Sequence, residues 1–274
     1  MPLPPDFTFS QNNLQDFLDC ERRFELRYLL KQDWPAVESN PYLAHEQRIE
    51  LGKQFHQLIH QHQSGIDAVD LEKHIQNPDL LHWWKNYLAY LPEDIPEKQY
   101  AEIILAIPFC EYRMIAKYDL LAIEEDQRAI ILDWKTTSLS RRPNGRYLHH
   151  RIQTKVYPFI FSKAGSILNN GNAWAPYQIS MVYWFPNFPH QPENISYSEA
   201  QLSKDQDFLT GLIGKIVSRD AGAFQLTRNQ QFCKYCVYRS LCERGIKAGN
   251  LDDQEEFDSA TNSFDLDQIE EIAF

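Results

Sequence analysis

Two aspartates and a lysine, Asp119, Asp133 and Lys135, are the residues of this sequence most suited to chemistry. Side chains alternate along a strand, so in Asp133-Trp134-Lys135 the carboxylate and the ammonium share one face and Trp134 takes the other. The apolar run Ile130-Ile131-Leu132 leads into Asp133, which therefore emerges from a buried strand. A polar turn, Glu124–Arg128, joins that strand to the preceding run, Tyr112–Ile123, and the hairpin can bring Asp119 beside Asp133. Two adjacent carboxylates repel and are costly to bury without a cation between them. Hard oxygen ligands favour Mg²⁺ or Mn²⁺. Such an ion lowers the pKa of a bound water and polarises a phosphate, and Lys135 can orient that water or stabilise charge on a phosphorane. The chemistry expected is phosphodiester hydrolysis by in-line attack. The competing reading is a surface Asp–Lys pair, which is worth little.

The elements that must position these groups read as follows. A helix capped by Ser10 covers residues 10–30, a second covers 43–63 and a third 79–90. Ala101–Phe109, Tyr112–Ile123 and Ala129–Thr136 form an antiparallel meander. A loop at Arg141–Gly145 precedes a helix at 148–162 that Pro158 should kink. Tyr177–Phe185 reads as a strand and Ala200–Arg219 as a long helix. This order predicts an α/β fold with helices on a mixed sheet.

Cysteine spacing gives a second constellation. Cys233, Cys236 and Cys242 form C-x2-C-x5-C, and Cys20 lies far upstream. Four thiolates can hold zinc or an iron–sulfur cluster, and spacing alone does not choose. Such a clip would tie the N-terminal helical segment to the C-terminal one across a very long loop. Reduced structural cysteines are the plainer alternative. The fifth cysteine, Cys110, reads as a buried small hydrophobe in a strand.

The net charge is −11, which at first argues against a polyanion partner. Residues 251–274, however, carry nine acidic side chains and no Lys or Arg; without those nine charges the remainder stands at −2. Residues 1–250 thus read as one domain and 251–274 as an acidic tail. Arg141, Arg142, Arg146, His149, His150 and Arg151, interleaved with Tyr147, form a basic stretch suited to phosphates and base stacking. A solvated loop is an equally good reading of that stretch alone. No run of 18 apolar residues exists and the N-terminus lacks a signal-peptide pattern, so a cytoplasmic protein is expected. No G-x-x-x-x-G-K-[ST] phosphate loop occurs, so these residues are not themselves a helicase.

The segment Ile131–Thr137 resembles the hallmark of RecB-family nucleases of the PD-(D/E)xK class. Gly52-Lys53-Gln54-Phe55-His56 resembles the family's helical Gly-x-x-aromatic-His motif, and Gln153-Thr154-Lys155-Val156-Tyr157 its Gln-x-x-x-Tyr motif. The resemblance implies a restriction-endonuclease-like core, metal ligation by His56, Asp119 and Asp133, and catalysis by Asp119, Asp133 and Lys135. It also implies that Gln153 and Tyr157 position DNA and Lys135, and it places Glu102 at the start of the first strand. Ala116 stands where the family usually has glycine. The cysteines resemble the clip of Cas4, AddB and Dna2, which implies a [4Fe–4S] cluster on Cys20, Cys233, Cys236 and Cys242 in preference to zinc; Glu21 replaces the usual proline. The function implied is a Mg²⁺- or Mn²⁺-dependent DNA exonuclease or end-processing enzyme on single strands, in repair or recombination with a separate helicase. Cas4-like trimming in CRISPR adaptation, or a non-catalytic iron–sulfur subunit that binds DNA ends, are the alternatives.

Overall fold

A computed structural model describes residues 3–33, 40–92, 94–136 and 142–245, with side chains in the second stretch from residue 46 onward. Arg141 and the acidic tail lie outside the described residues. In chain order the elements are β1 (Thr8–Ser10), α1 (Gln11–Asp19), α2 (Glu21–Phe24) with a π turn at Glu25–Leu29, α3 (Asn40–Gln63), α4 (Ala68–Glu72) and α5 (Pro78–Tyr90). Then come β2 (Lys98–Phe109), β3 (Tyr112–Glu124), β4 (Arg128–Trp134), α6 (Gly145–His150), α7 (Ile152–Ala164), β5 (Ile179–Trp184), β6 (Glu193–Ser196) and α8 (Glu199–Val217).

The sheet is mixed and β3 is its spine. β2 runs antiparallel along one edge of β3. The other edge is shared: β1 pairs parallel with Arg113–Ile115, and β4 pairs antiparallel with Leu120–Glu124. β5 continues parallel to β4, and β6 antiparallel to β5. On the shared edge, residues 116–119 have no strand partner.

Helices cover both faces. Phe55 and Ile59 of α3, with Trp83, Trp84 and Tyr87 of α5, pack on Leu120, Leu132, Trp134 and Trp184. On the opposite face, α1, α7 and α8 pack on Met114, Tyr118, Leu121, Ile131 and Tyr183. These memberships reveal a break in alternation. Tyr118 belongs to the α7 face, yet Leu120 belongs to the α5 face; in β2, Ala101 lies on the α5 face and Ile103 on the α7 face. Both strands change sides between these positions, where Glu102 faces Asp119 and the β2–β3 ladder skips a pair. Glu102 takes φ +56°, a region costly for a residue with a Cβ.

Three expectations change. The helix over 10–30 is broken: Cys20 is extended and ends α1 at Asp19 before α2 begins. The helix over 148–162 is two, because Arg151 is extended, and α7 runs through Pro158. Cys110 is half-buried in the turn between β2 and β3, not within a strand, and it and Glu111 both have positive φ, the backbone of a two-residue hairpin turn. β1, β6 and α4 were too short to stand out by periodicity.

The segment after α8 returns to the N-terminal helices and forms 3-10 turns rather than a helix. Phe224 stacks on Phe24 at 6.0 Å, Arg219 pairs with Glu21 at 2.8 Å, and Tyr238 Oη donates to the Gln32 carbonyl at 3.0 Å. Protein contacts alone therefore join the two ends.

Candidate active site

The site forms where the sheet opens, at the end of β4. The β3–β4 ladder stops at Leu120–Leu132, and beyond it the Trp134 N–H donates to the Asp119 carboxylate at 2.9 Å instead of to a strand. From the α5 face, α3 delivers His56. Gly52 lets α3 come close: a Cβ there would lie 2.6 Å from Thr136 Oγ1. Phe55 is fully buried and anchors the same turn. The motif's spacing thus has a local cause, with glycine for approach, an aromatic for packing and histidine for the site.

His56 Nε2 lies 3.1 Å from the Trp134 carbonyl, which can only accept, so Nε2 carries a proton. Nδ1 then faces Asp119 Oδ1 at 3.3 Å. A neutral ring would set a lone pair against a carboxylate there, so a proton or a metal cation belongs at Nδ1. His56, Glu102 and Asp119 each bring a ligand atom within 4.8 Å of the others. One nitrogen and carboxylate oxygens are a fitting donor set for a divalent ion. Lys117 forms an ion pair with Glu102.

From the α7 face come Lys135's partners. Asp133 and Lys135 share a face, as alternation requires, and meet at 2.6 Å. Gln153 bridges them: its Nε2 donates to Asp133 Oδ1, and its Oε1 accepts from Lys135 Nζ at 2.9 Å. All three are buried. Tyr157, one turn along α7, is buried beside them and its ring lies 5.0 Å from that of Tyr118.

Electrostatics separates the two carboxylates. Burial pushes Asp133 above the usual carboxylate range, and Lys135 offsets this only in part while Asp119 adds to it. Burial also opposes ionisation of Asp119, but His56, Lys135 and the Trp134 N–H outweigh it and hold the group low. Burial pulls Lys135 down, against the pull of Asp133, and Arg151 adds to the lowering. For His56, burial acts downward, but the charges of Asp119 and Asp133 win and raise it. Lys117 is pulled by burial to about 8.

The structure thus brings together His56, Asp119, Asp133, Lys135, Gln153 and Tyr157. It adds Glu102 to the ligand group, whereas Asp133 is engaged by Lys135 and Gln153. The basic stretch is less open than its sequence implies. Arg142 is paired to Glu193, Arg146 is exposed, and Arg151 is buried beneath Tyr147 with 5.9 Å between guanidinium and ring centre.

Cys20, Cys233, Cys236 and Cys242 are half-buried and form no disulfide. Burial raises the thiols of Cys233, Cys236 and Cys242, and Cys20 contributes to each rise. Among the described residues no three of these sulfurs lie within 4.8 Å of one another. Tetrahedral zinc, with sulfur at about 2.3 Å, would need them closer than that.

A groove of about 1870 Å³ runs from the clip to α3. Gln11, Asn12, Tyr28, Gln57, Arg151 and Tyr235 are among its walls; His56, Asp119 and Asp133 lie outside them. Among the described residues no helix is long and apolar enough to cross a membrane.

Comparison with curated protein sequences returns no match. Among solved structures, SSO0001 is similar over 86% of each chain at 16% identity and TM-score 0.42. A protein from Eubacterium rectale, provisionally named an exonuclease, is similar over 81% of this chain and 85% of its own at 10% identity and TM-score 0.49. Likenesses this loose bear on neither the fold nor the activity. The family model of the PD-(D/E)XK nuclease superfamily, by contrast, matches residues 8–243 and so takes in every element from β1 to the clip. The chain belongs to the PD-(D/E)XK nuclease superfamily.

Proposed function

We propose that the protein is a divalent-metal-dependent deoxyribonuclease that trims single-stranded DNA or DNA ends. The observation that carries this reading is the convergence of His56, Glu102 and Asp119 within 4.8 Å, next to a buried Asp133–Lys135–Gln153 triad. Mg²⁺ or Mn²⁺ held by His56 and Asp119, with Asp133 close by, supplies an activated water and a Lewis acid for the phosphate. Lys135 presents an ammonium beside the reacting phosphate, and Gln153 fixes its direction. Tyr157 packs behind Gln153 and keeps water from that side. Lys135 and Asp133 can hold a proton between them, since burial weakens the charged form of both.

Single strands are favoured by the groove, whose amide and aromatic walls suit bases stacked and hydrogen-bonded without sequence reading. The exposed Arg146 and the ring of Tyr147, backed by Arg151, offer phosphate and base contacts. Duplex opening would come from a separate helicase, which fits a role in repair or recombination. The resemblance of Cys20 and the C-x2-C-x5-C spacing to Cas4, AddB and Dna2 favours a [4Fe–4S] cluster over zinc, and also keeps Cas4-like trimming for CRISPR adaptation as a second setting.

The test is anaerobic purification with metal analysis, followed by digestion of end-labelled single- and double-stranded DNA with Mn²⁺ or Mg²⁺. Asp133→Ala and Lys135→Ala are expected to lower cleavage by at least about 10²-fold while DNA affinity stays within a few fold. Parent-like cleavage in both variants removes the catalytic assignment. A brown protein containing iron supports the cluster, and a colourless zinc protein overturns it.

A further inference from the structure

We propose that Tyr183 is a positioning residue for Lys135: its ring face seats the ammonium by a cation–π contact, and Thr154 fixes the ring through the phenol hydroxyl. The inference rests on the reading above in which Lys135 acts on the phosphate. Sheet register is its first support. β4 and β5 run parallel with Asp133 beside Tyr183. Residues in register on neighbouring strands share a face, so Tyr183 joins Asp133 and Lys135 on the α7 side, while Trp184 joins Trp134 on the other. The Lys135 N–H donates to the Trp184 carbonyl at 2.9 Å, which holds the lysine backbone against β5. Lys135 Nζ then stands over the Tyr183 ring, 5.5 Å from its centre. Asp133 and Gln153 engage the same ammonium, at 2.6 and 2.9 Å. Burial weakens the charged form of Lys135. The negative face of an aromatic ring favours that form, and most strongly where water is excluded.

A directed hydrogen-bond chain is the second support. The Leu148 carbonyl can only accept, so the Thr154 hydroxyl donates its one proton there, at 2.6 Å. Thr154 Oγ1 must then accept from the Tyr183 hydroxyl, at 2.7 Å. Burial and the Asp133 charge push that phenol well above its ordinary range, so it keeps the proton it donates. Thr154 follows Gln153 on α7, and both are buried. Consecutive residues of one helix thus hold two sides of the lysine: Gln153 bonds the ammonium itself, and Thr154 bonds the ring beneath it. The Leu148 carbonyl belongs to α6, across the extended Arg151, so the chain ties the ring to both helices. Filling the core at position 183 would require neither the hydroxyl nor a ring face under the ammonium.

The experiment follows single-turnover cleavage of end-labelled single-stranded DNA by the full chain with Mn²⁺, together with DNA and Mn²⁺ affinity. Tyr183→Phe keeps the ring and loses the hydroxyl; it should slow cleavage by about two- to fivefold, the scale of one neutral hydrogen bond. Tyr183→Leu removes the ring face and should slow cleavage about tenfold more, the scale of a desolvated cation–π contact. Both affinities should stay near those of the parent. Mono-, di- and trifluorophenylalanine at position 183 weaken the negative ring face with little change of shape. Cleavage should therefore fall stepwise with each fluorine, a trend that core filling alone does not produce. In the Lys135→Ala background the residual rate should not depend on fluorine count. A flat series in the parent background, or equal rates for Tyr183→Phe and Tyr183→Leu, overturns the proposal. Thermal unfolding reports whether each variant is folded; if Tyr183→Leu is not, the fluorinated series decides alone. Should the parent fail to cleave, or Lys135→Ala cleave like the parent, the catalytic reading of Lys135 falls and this inference with it. Should Lys135→Ala be impaired while the series stays flat, only the present inference falls.

Discussion

Gly52→Ala separates two opposed effects that the structure places at one atom. Gly52 lies inside α3, where alanine in place of glycine favours the helix by about 1 kcal/mol. The new Cβ would, however, stand 2.6 Å from Thr136 Oγ1, while Thr136 Cβ at 3.7 Å is in ordinary contact. The oxygen is roughly an ångström too close, and Thr136 is β-branched with few rotamers to escape into. Overpacking of this kind costs about 1–3 kcal/mol. The net expectation is a loss of about 0–2 kcal/mol, with α3 moved outward. His56 sits one turn along and depends on the same approach for its 3.1 Å contact to the Trp134 carbonyl, so Mn²⁺ affinity should fall as well. Thr136→Ala removes the obstructing oxygen. In that background Gly52→Ala should instead stabilise by about 1 kcal/mol, a coupling of about 1–3 kcal/mol in the double-mutant cycle. Urea unfolding of the four proteins measures the cycle, and Mn²⁺ titration follows the site. If Gly52→Ala stabilises equally in both backgrounds, close packing is not why position 52 is glycine and the argument is refuted.

Gln153→Leu removes both halves of the bridge between Asp133 and Lys135, so cleavage should drop about 10–100-fold in single-turnover assays with DNA affinity retained; an unchanged rate would show that the bridge orients nothing. Cys20→Ala should abolish any visible absorbance yet leave a folded protein by circular dichroism, because Phe24–Phe224, Glu21–Arg219 and Gln32–Tyr238 still join the ends; global unfolding would mean that those contacts do not suffice. The His56–Asp119 pair gives metal-free protein a stability window. The raised histidine contributes stability that is complete below its unfolded value near 6.5 and is lost as pH climbs through its folded value. The lowered aspartate contributes stability that is present above 3.8 and is lost as pH falls through its folded value. Thermal melts across pH should show both losses in the parent; in His56→Ala the alkaline loss should vanish and the acid loss shrink, since Lys135 and the Trp134 N–H still act on Asp119.

The sequence made the catalytic strand legible because alternation is a strong constraint: Asp133 and Lys135 had to share a face, and Gln153 and Tyr157, four apart on a helix, had to share another. It also pointed to His56 through the Gly52-to-His56 spacing, whose packing logic the contact with Thr136 now explains. Glu102 was legible as a position but not as a neighbour of His56 and Asp119. Its placement depends on a side change in two paired strands, and single-strand periodicity carries no trace of that. Arg142 and Arg151 have partners that the sequence did not show, for a related reason. Charge in a sequence says nothing of partners brought by other elements, and β6 supplies Glu193 to Arg142 while α6 supplies Tyr147 to Arg151. The break at Cys20 was also hidden, since the apolar face of 10–30 continues across it; the extended cysteine follows from tertiary contacts with the returning C-terminal segment.

The break in the β3–β4 ladder explains how two carboxylates can serve one site without disabling it. Extended by one more residue, the observed register would set Asp119 directly opposite Asp133. Like charges directly opposed on neighbouring strands destabilise a sheet, and two buried carboxylates in that arrangement would drive one of them to stay protonated. Ending the ladder at Leu120–Leu132 avoids the confrontation. Asp119 turns toward α3, where the Trp134 N–H and His56 keep it ionised. Asp133 remains on the α7 face, where Lys135 and Gln153 engage it and burial holds its pKa high. The two groups therefore differ before any ion or substrate arrives: burial is outweighed at Asp119, which is held low, and wins at Asp133, which is pushed up beside its lysine. That division follows from sheet topology, so substitutions that restored pairing beyond Leu132 should damage the site even with every named side chain in place.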